Sequence, residues 1–305
     1  MYLVIDIGGT FVKYALMNSA AQIIKKAKMT TPKTNLIDFE NVLFTLIEEH
    51  DLSSIKGIAI SCPGTIDTDT GIVYYGGSFP FLHEVNLKRR IEEKYGIKVS
   101  IENDAKCAAL AELWLGSVKD YKDSVVLVLG SGVGGGIIID GKVHRGVHLS
   151  AGEISYVMNG LNLQTKEATY FGLICSAVEM VKRIAAIKKI EDITDGVAVF
   201  NYINNKDPEA AAIFDEYCLH LATQILNLSY ILDPEVVAIG GGISAQPVLL
   251  QRIKWAIEEI KKMNPFHMAT PKVVACKFQN DANLYGALYQ FFISNEGENV
   301  LSPNK

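Results

Sequence analysis

The chain has 305 residues, of which 49% are hydrophobic and 21% charged, with a formal net charge of −5. That length exceeds one average domain and points to two, while the acidic balance argues against a nucleic-acid partner, whose phosphates need a basic face. No apolar run approaches the ~20 residues that cross a bilayer, and five scattered cysteines with no CxxC spacing or signal peptide fit reduced thiols in a cytoplasmic protein.

The first hundred residues alternate strand and helix patterns. "YLVIDI" and "VKYALM" read as paired strands across a glycine turn, and "AQIIKKAKM" as a third. In "NLIDFENVLFTLIEEH" the residues Leu36, Phe39, Leu43 and Leu46 or Ile47 share one helical face. "KGIAISCPG" reads as a buried strand ended by Pro63 and Gly64. "VNLKRRIEEKYG" is an amphipathic helix stopped by Gly96, and "KVSIE" returns to the sheet. The alanine-rich "DAKCAALAELWLG" is then a helix closing at Gly116.

The pattern restarts at residue 124. "SVVLVLGSGVGGGIIIDGKVHRG" is strand, glycine turn and strand, and an Asp140–Gly141 hairpin turn leads into a third strand. "GLICSAVEMVKRIAAIKK" and "PEAAAIFDEYCLHLATQILNLSYIL" predict long helices. The strand "EVVAIGGG", a helix opening near Pro247, the strand "KVVACKF" and a last helix from about Ala282 follow. The polar tail "SNEGENVLSPNK" is expected to fray.

Each half thus opens on strand, glycine turn, strand, which predicts an α/β protein of two domains facing one another across a cleft. The first domain is placed at residues 1–118, rejoined by the last helix at 285–305, and the second at 119–284. The boundary lies in the short polar stretch "GSVKDYKD".

The first turn carries more chemistry than a hairpin needs, with Asp6 before it, Thr10 within it and Lys13 after it. "GSGVGG" (Gly130 to Gly135) matches GxGxxG, but dinucleotide binding requires a helix directly after the glycines. Here "IIID" and an Asp-Gly turn follow, and no GxxxxGK[ST] occurs either. What remains is two glycine hairpins and the run "IGGGIS", each after a buried strand. Such turns let backbone N–H groups approach an anion closely, which points to a nucleoside triphosphate gripped from two sides. Asn103 and Asp104 open the alanine-rich helix directly after a strand. Both residue types are favoured helix caps, and a carboxylate at that junction can also take a proton from an attacking hydroxyl.

"DIGGTFVK", "CPG", "ENDAKCAALAE", "LGSGVGGGIIIDGKVHRG", "AGEIS" and "IGGGIS", in this order over nearly the whole chain, resemble the successive signatures of the ROK family (repressors, open reading frames and sugar kinases). The resemblance implies the two-domain actin-like ATPase and hexokinase (ribonuclease H-like) fold. It also implies ATP- and Mg²⁺-dependent phosphorylation of a sugar hydroxyl. By that resemblance Asp6 faces the Mg²⁺ shell through water, and Gly8, Gly9 and Thr10 wrap the β- and γ-phosphates. Lys13, which otherwise reads as a solvated strand lysine, would favour their charge. Gly132, Gly134 and Gly135 would hold the phosphates from the second domain, and Gly241 and Gly242 would flank the adenosine. Asp104 would be the general base, with Asn103 and the Glu153 of "AGEIS" binding sugar hydroxyls. A homodimer is usual in the family.

Two stretches depart from the family pattern. Many members read AGEIGH followed by CxCGxxGCxE, whose histidine and cysteines hold structural zinc. Here Tyr156 stands at the histidine position, and "VMNGLNLQTKEATYFG" has no cysteine. In "YYGGSFPFL" (Tyr74 to Leu82) the asparagine and tryptophan usual in sugar kinases are missing. Phe79 and Phe81 offer faces for stacking on a sugar ring, or equally for core packing. Family members without zinc include kinases of β-glucosides, so the 6-hydroxyl of a hexose unit in a β-glucoside is the expected acceptor. A glucokinase, an N-acetylmannosamine kinase and, in another class, a non-catalytic sugar-sensing regulator stay open as alternatives. The family's repressors carry a helix-turn-helix ahead of the first hairpin, which here begins at residue 2.

No cysteine lies between Cys107 and Cys175, so no local set of zinc ligands exists. Protein purified without added metal should therefore contain no stoichiometric zinc by elemental analysis, and a chelator should leave its fold intact. One tightly held zinc per chain would contradict this reading.

Overall fold

The computed structural model describes residues 1–263, 266 and 268–297, and the chain divides into two compact units. The first unit holds Met1–Leu115, Arg145–Ser150 and the residues from Asp281 onward, and the second holds Gly116–His144 and Ala151–Asn280.

The first unit runs β1 (Tyr2–Ile7), β2 (Phe11–Met17), β3 (Ile23–Thr30), α1 (Leu36–Glu48), β4 (Gly57–Cys62), β5 (Thr65–Asp67), β6 (Ile72–Tyr74), β7 (Val85–Asn86), α2 (Leu87–Tyr95), β8 (Val99–Asn103) and α3 (Asp104–Leu115). Its main sheet has the order β3-β2-β1-β4-β8. β1 pairs antiparallel with β2 and parallel with β4, and β4 pairs parallel with β8. Every residue of β1, β4 and β8 is buried, as strands covered on both faces require. One face packs on α1 and α2, where the α1 stripe Phe39, Leu43, Leu46 and Ile47 meets Ile5, Ile60 and Ile101. Asn35 starts α1 by accepting from the Asp38 amide, and Gly96 ends α2 in the left-handed region at φ 66°.

The second unit repeats the plan with β9 (Ser124–Leu129), β10 (Val133–Ile139), β11 (Lys142–His144), β12 (Met158–Asn162), β13 (Glu167–Tyr170), α4 (Phe171–Ile174), α5 (Ala177–Lys188), α6 (Gly196–Asn204), α7 (Pro208–Leu232), β14 (Val236–Gly241), α8 (Pro247–Met263) and β15 (Val273–Ala275). Its sheet order, β11-β10-β9-β14-β15, is that of the first unit. Asp140 and Gly141 both have positive φ, 51° and 71°, the geometry that joins two twisted strands by two residues. The run expected as one helix from Gly172 is two. Ser176 leaves helical geometry and caps α5 by accepting from the Glu179 amide, which breaks the chain after α4. The β12–β13 hairpin and α6 were not anticipated. All of β12 is exposed, so it lacks the alternation that announces a half-buried strand.

The last helix, α9 (Ala282–Asn295), belongs to the first unit. It covers the second face of the sheet, burying Leu284, Leu288, Phe291 and Phe292 with Tyr2, Val4 and Cys107. Ser294 and Asn295 close this helix, and the rest of the tail from residue 298 lies outside the described residues. The five cysteines form no disulfide. No helix among the described residues is long and apolar enough to cross a membrane.

The seam between α3 and α9 leaves no room for a side chain at Gly286, where a Cβ would come within 1.7 Å of the Cys107 carbonyl oxygen. Gly286→Ala should push the two helices apart and cost about 1–3 kcal/mol, measured as a lower midpoint in chemical denaturation. A midpoint equal to that of the parent would refute this account of the seam.

Candidate active site

Parallel pairing brings the carboxyl ends of β1, β4 and β8 to one edge of the first unit's sheet, the edge where open α/β sheets bind ligands. The register sets Asp6 beside Ser61, and Ser61 beside Glu102. Side chains alternate along a strand, so this row shares one face. Asp6 is buried. Its Oδ1 accepts from Ser61 Oγ (3.0 Å) and from Asn283 Nδ2 of α9 (2.9 Å), and its Oδ2 faces Lys13 Nζ at 3.6 Å. Lys13 lies directly across the β1–β2 ladder from Asp6.

Past Asp6 the chain turns through Gly8, Gly9 and Thr10. A Cβ on Gly8 would lie 2.9 Å from the Phe11 carbonyl oxygen, and one on Gly9 would only touch Ser78. The turn's carbonyls are engaged from β3's end: Thr31 donates its hydroxyl to Gly8 O (2.7 Å) and its amide to Thr10 O (3.0 Å). Among the described residues the Gly9 and Thr10 amides have no hydrogen-bonding partner within the protein. Exposed amides beside a lysine make an anion site. Mg²⁺ keeps several waters and needs only one or two carboxylates beside substrate phosphates. Asp6, fixed through both oxygens, fits that outer role. No group of three or more His, Cys, Asp or Glu among the described residues could hold a metal ion by itself.

At the end of β8 the chain enters α3 without a loop. Asn103 caps the helix, its Oδ1 accepting from the Lys106 amide at 3.0 Å. Its Nδ2 donates to Gly64 O (2.9 Å) and to Asp104 Oδ1 (3.1 Å), and Asp104 Oδ1 also accepts from the Ala105 amide at 2.8 Å. The cap is therefore Asn103, while the half-buried Asp104 carboxylate is aimed by its neighbours. Burial pushes the Cys62 and Cys107 thiols up, and the carboxylates of Asp104 and Asp6, with Glu102 for Cys107, push them further. Both therefore remain neutral thiols between the acids.

Gly64 also anchors the loop that follows β6. At φ 107° it packs against the backbone of Tyr74, Tyr75 and Gly76, leaving no space for a Cβ. Phe79 is fully buried against Phe39 and Phe81, so its ring is core and not a stacking surface. Tyr75 takes the outward place. It is 75% exposed, holds a left-handed φ of 48°, and stacks on His83 with ring centroids 4.6 Å apart. The Tyr75 amide donates to His83 Nδ1 at 3.3 Å.

In the second unit the glycines divide by role. Gly135 lies in close contact with Gly152 O and Ile154, and Gly132 with Ser155 Oγ, so the start of β10 packs tightly on the segment bearing Glu153. Ser155 fastens it, accepting from the Val133 amide (2.8 Å) and donating to its carbonyl (3.0 Å). Gly134 pairs with Val128 in the ladder. Glu153 precedes a short 3₁₀ turn, Ile154–Tyr156, and the Tyr156 side chain is exposed. Gly241, at φ 93°, approaches Leu129 O so closely that a Cβ would lie 2.0 Å away, whereas Gly242 has open space. Gly242 lines a cavity of about 350 Å³ with Leu129, Gly130, Val178, Phe200, Ile243 and Gln246. A mostly apolar pocket beside glycine turns suits a flat heterocycle.

Asp6, Gly8, Gly9, Thr10, Lys13, Asn103 and Asp104 thus gather on the first unit. Gly132, Gly134, Gly135, Glu153, Gly241 and Gly242 sit on the second. Ser61, Thr31, Asn283, Glu102 and Arg145 were missed as supports of the site. Glu102 and Arg145 stand inside "ENDAK" and "HRG", but nothing local announces their pairing.

Comparison with known proteins gives a consistent picture. The model of the ROK family matches residues 2–292. A β-glucoside kinase of Listeria innocua is 32% identical over 94% of this chain and 95% of its own. A glucokinase of Halalkalibacterium halodurans is 30% identical over 93% of each. The crystal structure of a ROK family protein from Streptococcus pneumoniae, in complex with sucrose, is 29% identical. It superposes with a TM-score of 0.85 over 97% of this chain and 99% of that one. The fold is that of the actin-like ATPases and hexokinases.

Proposed function

The chain belongs to the ROK family, and we propose that it phosphorylates the 6-hydroxyl of the glucose unit of a β-glucoside. It is an ATP-dependent carbohydrate kinase. The observation that carries the reading is the edge of the first sheet, where partnerless turn amides, Lys13 and a fixed Asp6 lie on the same edge as an aimed carboxylate, Asp104. Phosphoryl transfer needs positioning, charge neutralisation and a base for the nucleophile. Bound Mg²⁺–ATP supplies the phosphoryl group and neutralises its developing charge.

In this reading the Gly9 and Thr10 amides and Lys13 hold phosphate oxygens, and Asp6 orients the hydrated cation. Asp104 accepts the proton of the sugar hydroxyl as the hydroxyl oxygen bonds to the γ-phosphorus and the bond from that phosphorus to the bridging oxygen breaks, ADP leaving. Asn103 commits its NH₂ to Gly64 and Asp104, so its contribution is to hold the base and, through Oδ1, to meet a hydroxyl. Glu153 accepts from further sugar hydroxyls, and the cavity beside Gly242 receives the adenosine.

A glucoside is favoured over a free sugar by the loop after β6. Tyr75 and His83 present a stacked, exposed pair next to Gly64, which is itself bonded to Asn103. An aromatic face of this kind suits a second ring or an aglycone. The Listeria innocua relative is a β-glucoside kinase, and the Streptococcus pneumoniae relative holds sucrose, a disaccharide.

Asp104→Asn should keep the fold and lose about 10²–10⁴-fold in turnover, measured in a coupled assay with sugar and ATP. Near-normal turnover would reduce Asp104 to a helix residue without a catalytic role.

For the parent protein, kcat/KM with cellobiose or gentiobiose should exceed that with free glucose by about tenfold or more, roughly 1.4 kcal/mol of extra transition-state binding. Tyr75→Ala should lower the ratio of kcat/KM for an aryl β-glucoside to that for glucose about fivefold, or ~1 kcal/mol. Equal or better efficiency with free glucose or N-acetylmannosamine would reject the β-glucoside assignment.

A further inference from the structure

Glu102 is fully buried at the end of β8, one residue before Asn103 and two before Asp104. A buried carboxylate is costly unless paired and hydrogen-bonded, and both of its oxygens are engaged. Oε1 accepts from the Asn103 amide at 2.7 Å. Oε2 accepts from Arg145 twice, from Nε at 2.9 Å and from Nη2 at 2.6 Å. Arg145 follows β11 but belongs to the first unit. It is held in turn by α9, where its Nη2 donates to Gln290 Oε1 at 2.9 Å. Gln290 is buried and donates onward to Ser294 Oγ at 2.9 Å. A continuous chain of hydrogen bonds therefore runs from α9 through Arg145 and Glu102 to the peptide that starts α3.

We propose that Arg145 is a positioning residue for phosphoryl transfer: through Glu102 and the Asn103 amide it fixes the head of α3 that carries Asp104, and its charge offsets the carboxylate that would otherwise repel an ionised Asp104. This rests on reading Asp104 as the general base. The guanidinium suits the task because its planar fork holds charge and direction together. Asp6 on β1 is engaged by Lys13, Ser61 and Asn283. Cys62 on β4 and Cys107 on α3 stay protonated. Lys106, in the first turn of α3, and Glu112, two turns on, are buried, and α9 contributes the phenols Tyr285 and Tyr289.

The sign follows from the charges. Removing Arg145 leaves Glu102 unpaired beside Asp104 and makes Asp104 easier to protonate, while removing the Glu102 charge leaves Arg145 unpaired and does the reverse. The acid limb of the kcat/KM profile against pH should therefore move up by about one unit in Arg145→Met and down in Glu102→Gln. The double variant should return close to the parent. The ionisation of ATP is common to all four proteins and cancels in the comparison. Arg145→Lys, which keeps the charge without the fork, should hold the limb in place and lower kcat. If Arg145→Met does not fold, the downward shift in Glu102→Gln still decides the matter. An acid limb that stays in place in Glu102→Gln, whatever its thermal midpoint, would make the pair merely structural and overturn the proposal. Asp104→Asn run alongside separates the two failures, since normal turnover there would overturn the base assignment itself.

Discussion

The parallel register of β1, β4 and β8 is the constraint on which the first unit's site depends. It sets Asp6, Ser61 and Glu102 in one row, two carboxylates buried in a sheet with a hydroxyl between them. A sheet interior cannot hold such charges without partners. Asp6 recruits Ser61, Asn283 and Lys13, and Glu102 recruits Arg145 and the Asn103 amide. The last helix is thus more than a cover for apolar side chains. It supplies Asn283 and Gln290 to the polar row while burying Leu284, Leu288 and Phe291.

The glycines show why a motif is not a contact list. Gly135 and Gly132 are small because neighbouring backbone and Ser155 press on them, and Gly241 because the Leu129 carbonyl does. Their lack of a side chain lets the segment bearing Glu153 lie flat on β10 and lets β14 turn beside β9. Gly242, facing open space beside a cavity, is the one of these that leaves room for a ligand. In the first turn it is Thr31, reaching across from β3's end, that holds the carbonyls of Gly8 and Thr10.

Two stretches depart from the family's sequence pattern. In the first, an exposed hairpin, β12–β13, occupies the sequence after Tyr156. In the loop after β6 the aromatic residues divide by direction. Phe79 turns inward onto Phe39, and Tyr75 accepts a left-handed backbone to stay outside on His83.

The sequence by itself determined what depends on near neighbours. The α1 stripe, the Gly96 stop, the Asp140–Gly141 turn and the repeated strand–turn–strand opening are all local patterns, and each is where periodicity and turn chemistry put it. The family motifs were legible for the same reason, being short and contiguous. Where a local signal was weak, as in the wholly exposed β12 or the serine cap that splits α4 from α5, the reading missed the element. Only the tertiary structure decided the partners. Asp6 and Asn283 are 277 residues apart, and Glu102 and Arg145 are 43 apart. Which of two neighbouring aromatics is buried depends likewise on what packs against the loop. Burial and long-range pairing are properties of the folded sheet and its covering helices, and no short window along the chain contains both Asp6 and Asn283 or both Glu102 and Arg145.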